Sequence, residues 1–142
     1  MDNLRMICAL IIHEKSDTSN LVLQKLLYFI QAYTLINIGT PAFNNRMEAW
    51  TYGPVVPEAY YTFKNNPDFY NAPFQELDSE IIRIVIEVVH SLENVAPFTL
   101  VKITHSYDTW INAWNTLGNK EITPESILEY HTQRQRQGLG VF

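Results

Sequence analysis

The chain has 142 residues and a formal net charge of −5, with ten Lys and Arg. This length suits one domain with a single hydrophobic core. The acidic balance would repel a phosphate backbone, which argues against nucleic acid as a partner. Hydrophobic residues make up 46% and charged residues 18% of the chain, as expected of a folded globule and not of a disordered segment. Cys8 is the single cysteine, so a reducing compartment is expected, by default the cytoplasm.

Two apolar runs do not have the character of membrane spans. The opening "MDNLRMICALII" carries Asp2, is too short to cross a bilayer, and has no small-residue cleavage site behind it. The later run from Ile81 is interrupted by Arg83, Glu87 and His90. We therefore expect neither a membrane span nor a cleaved leader, and no membrane partner.

The first third of the chain predicts two helices. In the first, apolar side chains recur at the i, i+3, i+4 and i+7 positions from Leu4 to Ile11, and Asp2 or Asn3 is placed to cap it. In the second, "TSN" at 18–20 offers cap oxygens, the apolar period runs from Leu23 to Tyr33, and Gly39 ends it.

A small β element is predicted next. Polar and apolar residues alternate over 46–52, which indicates a short strand that runs into a turn at Gly53 and Pro54. Pro57 suits the first position of a helix, because its missing N–H has no intrahelical partner there. The "NNP" at 65–67 is expected to end that helix.

The segment 78–94 combines β-branched residues with a helical period. Its polar residues recur every three or four positions, so a helix would gather them on one wet face, whereas a strand would scatter them over both faces. The pattern therefore predicts a central, mostly buried helix. Further helices are predicted over 98–105, after Asp108 as a cap, and from Thr123 and Pro124 through about Gln133.

These elements predict a mainly α fold, a compact single domain of about six or seven helices with the small β element near 46–52. We assign the domain to residues 1–133. The segment 134–142 has polar repetition and two glycines, so a frayed tail is expected there.

The sequence contains little that indicates catalysis. His13, His90, His105 and His131 are far apart and have no nearby cysteine, so no metal site is expected, and no Gly-rich phosphate loop indicates a cofactor. The "THSYD" segment at 104–108 groups a histidine, a serine and a carboxylate, but the members of a catalytic triad normally converge from different elements. We interpret His105 as a helix end whose imidazole meets the last carbonyls, and Lys25 as a lysine with its charge in water.

Three segments resemble the Panacea antitoxin domain, a family that includes phage-associated GepA-like and SocA-like proteins. They are "LQKLLYFIQAY" at 23–33, "EAWTYGPVVPEAYYTFK" at 48–64 and "THSYDTW" at 104–110. The resemblance extends over residues 4–131. It implies a non-enzymatic antitoxin of a bacterial or phage toxin–antitoxin pair, which binds and neutralises a cognate protein toxin. Some SocA-like members instead deliver a bound toxin to a protease.

The resemblance marks a set of family-motif positions, and most of them are expected to form the scaffold, because the family shares a fold while its toxins differ. They are Gln24, Lys25, Tyr28, Glu48, Trp50, Tyr52, Gly53, Pro54, Val55, Pro57, His105 and Trp110. In the bend we expect Trp50 and Tyr52 to pack against the 26–30 face of the second helix. The candidates for partner binding are displayed side chains near the bend and in the C-terminal helix, namely Tyr61, Lys64, Arg134 and Arg136.

Three functional classes remain open. A protein-binding antitoxin is the leading interpretation. A small hydrolase-like enzyme around His105 is second. A nucleic-acid-binding repressor is third, and the acidic balance together with the lack of a basic helix argues against it.

Overall fold

The structure of the protein is a computed structural model that describes residues 2–66 and 71–140. Within these residues the fold is mainly helical with a small β element, as predicted, and that element belongs to an antiparallel sheet. The α-helices are α1 (Asn3–Glu14), α2 (Asn20–Ile38), α3 (Pro57–Asn65), α4 (Ser79–Leu92), α5 (Pro97–His105), α6 (Asp108–Trp114) and α7 (Pro124–Arg136). The strands are β1 (Met47–Trp50), β2 (Gly53–Val55) and β3 (Glu121–Ile122).

Most helix ends follow the local signals in the sequence. The side chains of Asp2, Ser19 and Thr123 each accept a backbone N–H from the first turn, as predicted. Gly39 ends α2 with φ of +90°, a conformation that costs glycine little. Asp108 was wrongly predicted as a cap: Tyr107 is the capping residue, and Asp108 is the first residue of α6.

The segment 78–94 forms one helix, so the helical period of its polar residues outweighs its β-branched content. Asp78 caps α4 by accepting the N–H of Glu80 at 2.9 Å. Ile84 and Val85 are fully buried. Arg83 and Glu87 are exposed and form an ion pair, with 3.0 Å between Nη1 and Oε2. Helix α7 continues to Arg136, beyond its predicted end. Pro67, predicted to help close α3, lies outside the described residues.

The predicted β element is β1, at the centre of a sheet ordered β2-β1-β3. Trp50 pairs with Gly53, so the hairpin turn lies at Thr51 and Tyr52 and the Gly53-Pro54 dipeptide belongs to a strand. Pro54 cannot donate to a neighbouring strand, and it lies on the edge strand of this sheet, where that donor is not needed. The pairing partners β2 and β3 were not predicted.

Helix α2 forms the centre of the core. It contacts α3, α4, α5, α7 and β2, and most of its residues are buried. By length and composition α2 would fit a membrane span, but so would the core helix of a globular protein, and 72% of its apolar window is buried inside the fold. The apolar face of α4 packs on α1 and α2 and completes the core.

Candidate functional site

The three segments that resemble the family meet at the β1–β2 hairpin. The segment 48–64 forms the hairpin, and the segments in α2 and at 104–110 are bonded to it. Gly53 adopts φ of +112°, a region that side chains with a Cβ rarely enter. A Cβ placed there would lie 2.9 Å from Oγ1 of Thr104 and 3.0 Å from Cε of Lys25. Gly53 is therefore needed both for its backbone conformation and for the close approach of α2 and α5 to the hairpin.

Lys25 lies beneath the hairpin and is fully buried, which contradicts the expectation that its charge would be in water. Its Nζ donates to the backbone carbonyl of Pro54 at 2.5 Å. Burial lowers the pKa of the amine to about 7, because the charged form loses its hydration. Lys25 therefore joins the middle of α2 to the edge strand, and burial brings its charge close to the point of being lost at neutral pH.

Two glutamines of α2, one heptad apart, fix neighbouring backbone. Gln24 accepts the N–H of Val56 at 2.9 Å, at the start of α3, and donates to Oδ1 of Asn20 at 3.0 Å. Gln31 accepts the N–H of Ala42 at 2.8 Å and donates to the carbonyl of Phe43 at 2.9 Å. Buried amides are thus satisfied by long-range bonds, and the entry to α3 is set by α2.

The third family segment, at 104–110, also supports the hairpin. Nε2 of His105 donates to the carbonyl of Thr51 at 2.9 Å, and Nε1 of Trp110 donates to the carbonyl of Trp50 at 2.9 Å. The two rings stack on each other with centroids 4.1 Å apart. The imidazole thus meets a carbonyl of the hairpin turn, and not the last carbonyls of its own helix as predicted.

The outer side of the hairpin borders an open groove, which we call the aromatic groove. Two adjoining hollows of about 470 and 720 Å³ form it, and Asn20, Leu21, Tyr52 and Tyr60 line both. Tyr52 is 59% exposed, so the prediction that it packs on α2 is wrong. The groove is completed mainly by apolar side chains and lysines, among them Trp50, Phe63, Lys64, Phe98, Trp114 and Lys120.

The electrostatic character of the groove is opposite to that of the whole chain. Lys64 and Lys120 line it, with the buried Lys25 beneath, and among the described residues that line it there is no aspartate or glutamate. Lys120 also lies over the ring of Trp114, 4.7 Å from its centroid. The nearby Glu48 accepts a hydrogen bond from Nε1 of Trp50 with one carboxylate oxygen, and its other oxygen is paired with Arg46 at 2.8 Å.

The four predicted binding residues lie at two different places. Tyr61 is 51% exposed and its ring lies 5.2 Å from that of Tyr60, which lines the groove; Lys64 lines the groove itself. Arg134 instead lines a separate hollow of about 740 Å³ between α6 and α7, where its guanidinium lies 5.3 Å from the ring of Tyr107. Arg136 is exposed near the end of α7.

Beneath the hollow between α6 and α7, a buried polar cluster joins α2, α6 and α7. The hydroxyl of Tyr28 lies 2.7 Å from Oγ1 of Thr109 and 2.8 Å from Nε2 of His131. Burial is the main cause that raises the pKa of Tyr28, so the phenol stays neutral. The cluster fixes α7 to the core, and its members have almost no exposed surface.

The remaining motif residues have mainly structural positions. Gly53, Pro54 and Val55 are buried in β2, Pro57 is the first residue of α3, and the half-buried Glu48 lies on β1. Sequence reasoning missed Leu21, Phe98 and Lys120 as surface residues of the groove. Phe98 carried one usable signal, since it follows Pro97 at a helix start, where a large apolar side chain has few core neighbours. Leu21 and Lys120 carried none, because the groove is formed only when distant segments meet.

Comparison with known proteins identifies the family. Residues 23–111 match the family described as Antitoxin SocA-like, Panacea domain. A curated relative, the antitoxin SocA of Caulobacter vibrioides (strain NA1000 / CB15N), is 50% identical over 48 residues, which make up 34% of this chain. The matched part spans 26% of that relative's length. No solved structure gives a significant match.

Proposed function

The chain belongs to the SocA-like antitoxin family with a Panacea domain, and we propose from this premise that it neutralises a cognate protein toxin by binding it directly. The toxin is the product of a partner gene in a bacterial or phage toxin–antitoxin system, and the encounter takes place in the cytoplasm. The proposal assigns no enzymatic step to the protein.

The observation that carries the proposal is an exposed aromatic surface on a rigid support. Tyr52 is 59% exposed, yet the hairpin backbone around it is bonded to His105, Trp110 and Lys25. Tyr61 is 51% exposed on α3, and its ring lies 6.2 Å from that of Trp50. Aromatic side chains on a rigid backbone lose little conformational entropy when they bind, and they contribute strongly to protein interfaces. This arrangement is typical of protein recognition.

A protease adaptor is a variant of the same function. In that case the bound toxin is passed on for degradation and is not merely sequestered. Both variants require the same first step, a direct complex between this chain and the toxin. They differ in the fate of the toxin, which is stable in the first case and short-lived in the second.

The two other classes find less support. The imidazole of His105 donates to a backbone carbonyl and stacks on Trp110, which favours a positioning role over general base catalysis. The Ser106 hydroxyl donates to the carbonyl of Ile103, so it faces its own helix. A repressor would need a basic surface, and the net charge of −5 opposes binding to a phosphate backbone.

Co-expression with the reading frame next to this gene tests the proposal. We expect the neighbouring product to arrest growth when it is expressed alone. Growth should return when this chain is co-expressed, and the two proteins should co-purify. Rescue without a complex, or the lack of any toxic neighbour, would contradict the proposal. Rescue that depends on a host protease, with rapid loss of the toxin, would assign the adaptor variant.

A further inference from the structure

We propose that the aromatic groove is the toxin-binding surface and that it receives an acidic segment of the toxin with an apolar or aromatic anchor side chain. The inference rests on the proposed function and specifies where the toxin binds and which chemistry is recognised. It is carried by the shape of the groove, its exposed aromatic residues and its charge.

The anchor would fit the apolar part of the groove. Phe98 is 67% exposed and Tyr52 59% exposed, although both are large apolar side chains. They line the larger hollow together with Leu21 and Phe63. Exposed aromatic residues grouped around a concavity indicate an interaction site, since isolated surface apolar residues are common but such clusters are not.

The acidic character of the partner follows from the lysines around the groove. Lys64 and Lys120 line it. Lys102 lies on the same face of α5 as Phe98 and His105, because the three residues are spaced i, i+4 and i+7. Phe98 lines the groove and His105 meets Thr51, so this face of α5 is turned toward the hairpin. Lys102 is exposed. A positive rim around an apolar centre favours a partner with acidic residues flanking an apolar one.

Charge also separates this occupant from the alternatives. A second copy of the chain would place the same lysines against one another across a two-fold interface, which is unfavourable. Single-stranded nucleic acid could use the lysines and stack on the aromatic rings, but the remainder of the chain carries a net negative charge that would repel its backbone. An acidic protein segment matches the groove and avoids both penalties.

Substitutions in the full chain test the proposal against the product of the neighbouring reading frame. Phe98→Ser and Tyr52→Ser remove the exposed aromatic rings, and Lys64→Glu with Lys102→Glu reverses the rim charge. Leu117→Ser is the matched apolar control, since Leu117 is 98% exposed outside the groove. Arg136→Glu is the charge control: Arg136 was predicted from the sequence as a binding residue, but it lies at the end of α7 and is not among the residues that line the groove.

We expect the aromatic and the double-charge variants to lose about tenfold or more in affinity for the toxin, with unchanged melting temperature. Both controls should bind as the wild type does. The loss from the charge reversal should shrink at high salt, because ions screen exposed charges. Melting curves of the free variants separate loss of binding from loss of folding.

Several outcomes would overturn the groove assignment while leaving the proposed function intact. One is a wild-type complex that survives all groove variants but is weakened by Arg136→Glu. Another is a dimer of this chain that the groove variants dissociate without any effect on toxin binding. A third is tight binding of a fluorescent single-stranded oligonucleotide that the same variants abolish while toxin binding persists. Failure of the wild type to bind any toxic neighbour would instead count against the proposed function itself.

Discussion

The two sides of the β1–β2 hairpin differ in burial and in the contacts that their residues make. On the inner side, Gly53 and Pro54 are buried and the ammonium of Lys25 reaches the strand backbone. On the outer side, Tyr52 has most of its surface in solvent and Trp50 is half-buried beside it. The inner contacts fix where the backbone runs, and the side chain of Tyr52 is displayed to solvent. One short motif thus combines a rigid support with a displayed surface.

This difference explains how residues that resemble a family motif can have separate roles. A change on the inner side should act through folding, since it alters packing or a buried bond. A change on the outer side should act through binding, since little of the fold depends on it. The half-buried Trp50 lies between these limits.

Gly53→Ala should cause the largest loss of stability. The new methyl group would meet Thr104 and Lys25 at 2.9 and 3.0 Å in a backbone conformation that alanine disfavours. We expect a loss of about 3 kcal/mol in the free energy of unfolding, measured by urea denaturation. Gly39→Ala is the matched control, because φ is +90° there but nothing lies within 4 Å of the added carbon. It should lose only about 1 kcal/mol. Equal losses at the two positions would show that the inner contacts contribute nothing.

Trp50→Ala should come second. The ring packs edge-on against Tyr60 at 5.2 Å, and its Nε1 donates to Glu48 at 2.9 Å. Because the side chain is only half-buried, we expect a loss of about 2 kcal/mol, below the usual value for a core tryptophan. Thermal or urea unfolding would measure it, and binding should weaken as well because the groove changes shape. A Trp50→Ala variant that loses binding with unchanged stability would show that Trp50 acts through binding and not through folding.

Lys25→Met should change the pH dependence of stability. The folded-state pKa of about 7 is below the ordinary value of 10.5, so between these limits the unfolded chain holds a proton that the folded one releases. The free energy of unfolding of the wild type should therefore rise with pH above 7, by up to about 1.4 kcal/mol per pH unit, and this gain is lost as pH falls toward 7. The Met variant lacks this contribution. Urea denaturation of both proteins from pH 6 to 9 should show the stability of the wild type rising relative to that of the Met variant above pH 7, and parallel curves would contradict it.

Tyr52→Ser should have the smallest effect on folding. Most of the side chain is in solvent, so we expect a change below about 0.5 kcal/mol in the free energy of unfolding. Circular dichroism melting of the variant beside the wild type would measure it. A large loss would mean that Tyr52 supports the fold after all, and the contrast between the two sides of the hairpin would disappear.

The helices were largely predictable because their signals are local. The cap at Ser19, the glycine at 39 and the polar period of α4 each act within a few residues of the end or face that they define. The candidate site was much less predictable, because it depends on contacts between distant segments. Burial of Lys25 requires Pro54 as acceptor, 29 residues away along the chain. The strand character of Gly53 and Pro54 requires β1 as a partner. Local composition at Tyr52 indicated an aromatic bend but not which way its ring points.

The most direct test of binding through the outer side of the hairpin is hydrogen exchange of the free protein and of its complex with the neighbouring toxin. We predict slower exchange in the complex for the amides of the turn at Thr51 and Tyr52, of α3 around Tyr60 to Lys64, and of the start of α5 at Phe98. Peptides that cover α7 should exchange at the same rate in both states. Protection confined to α7 and the hollow beside it, with the hairpin turn unchanged, would contradict the account.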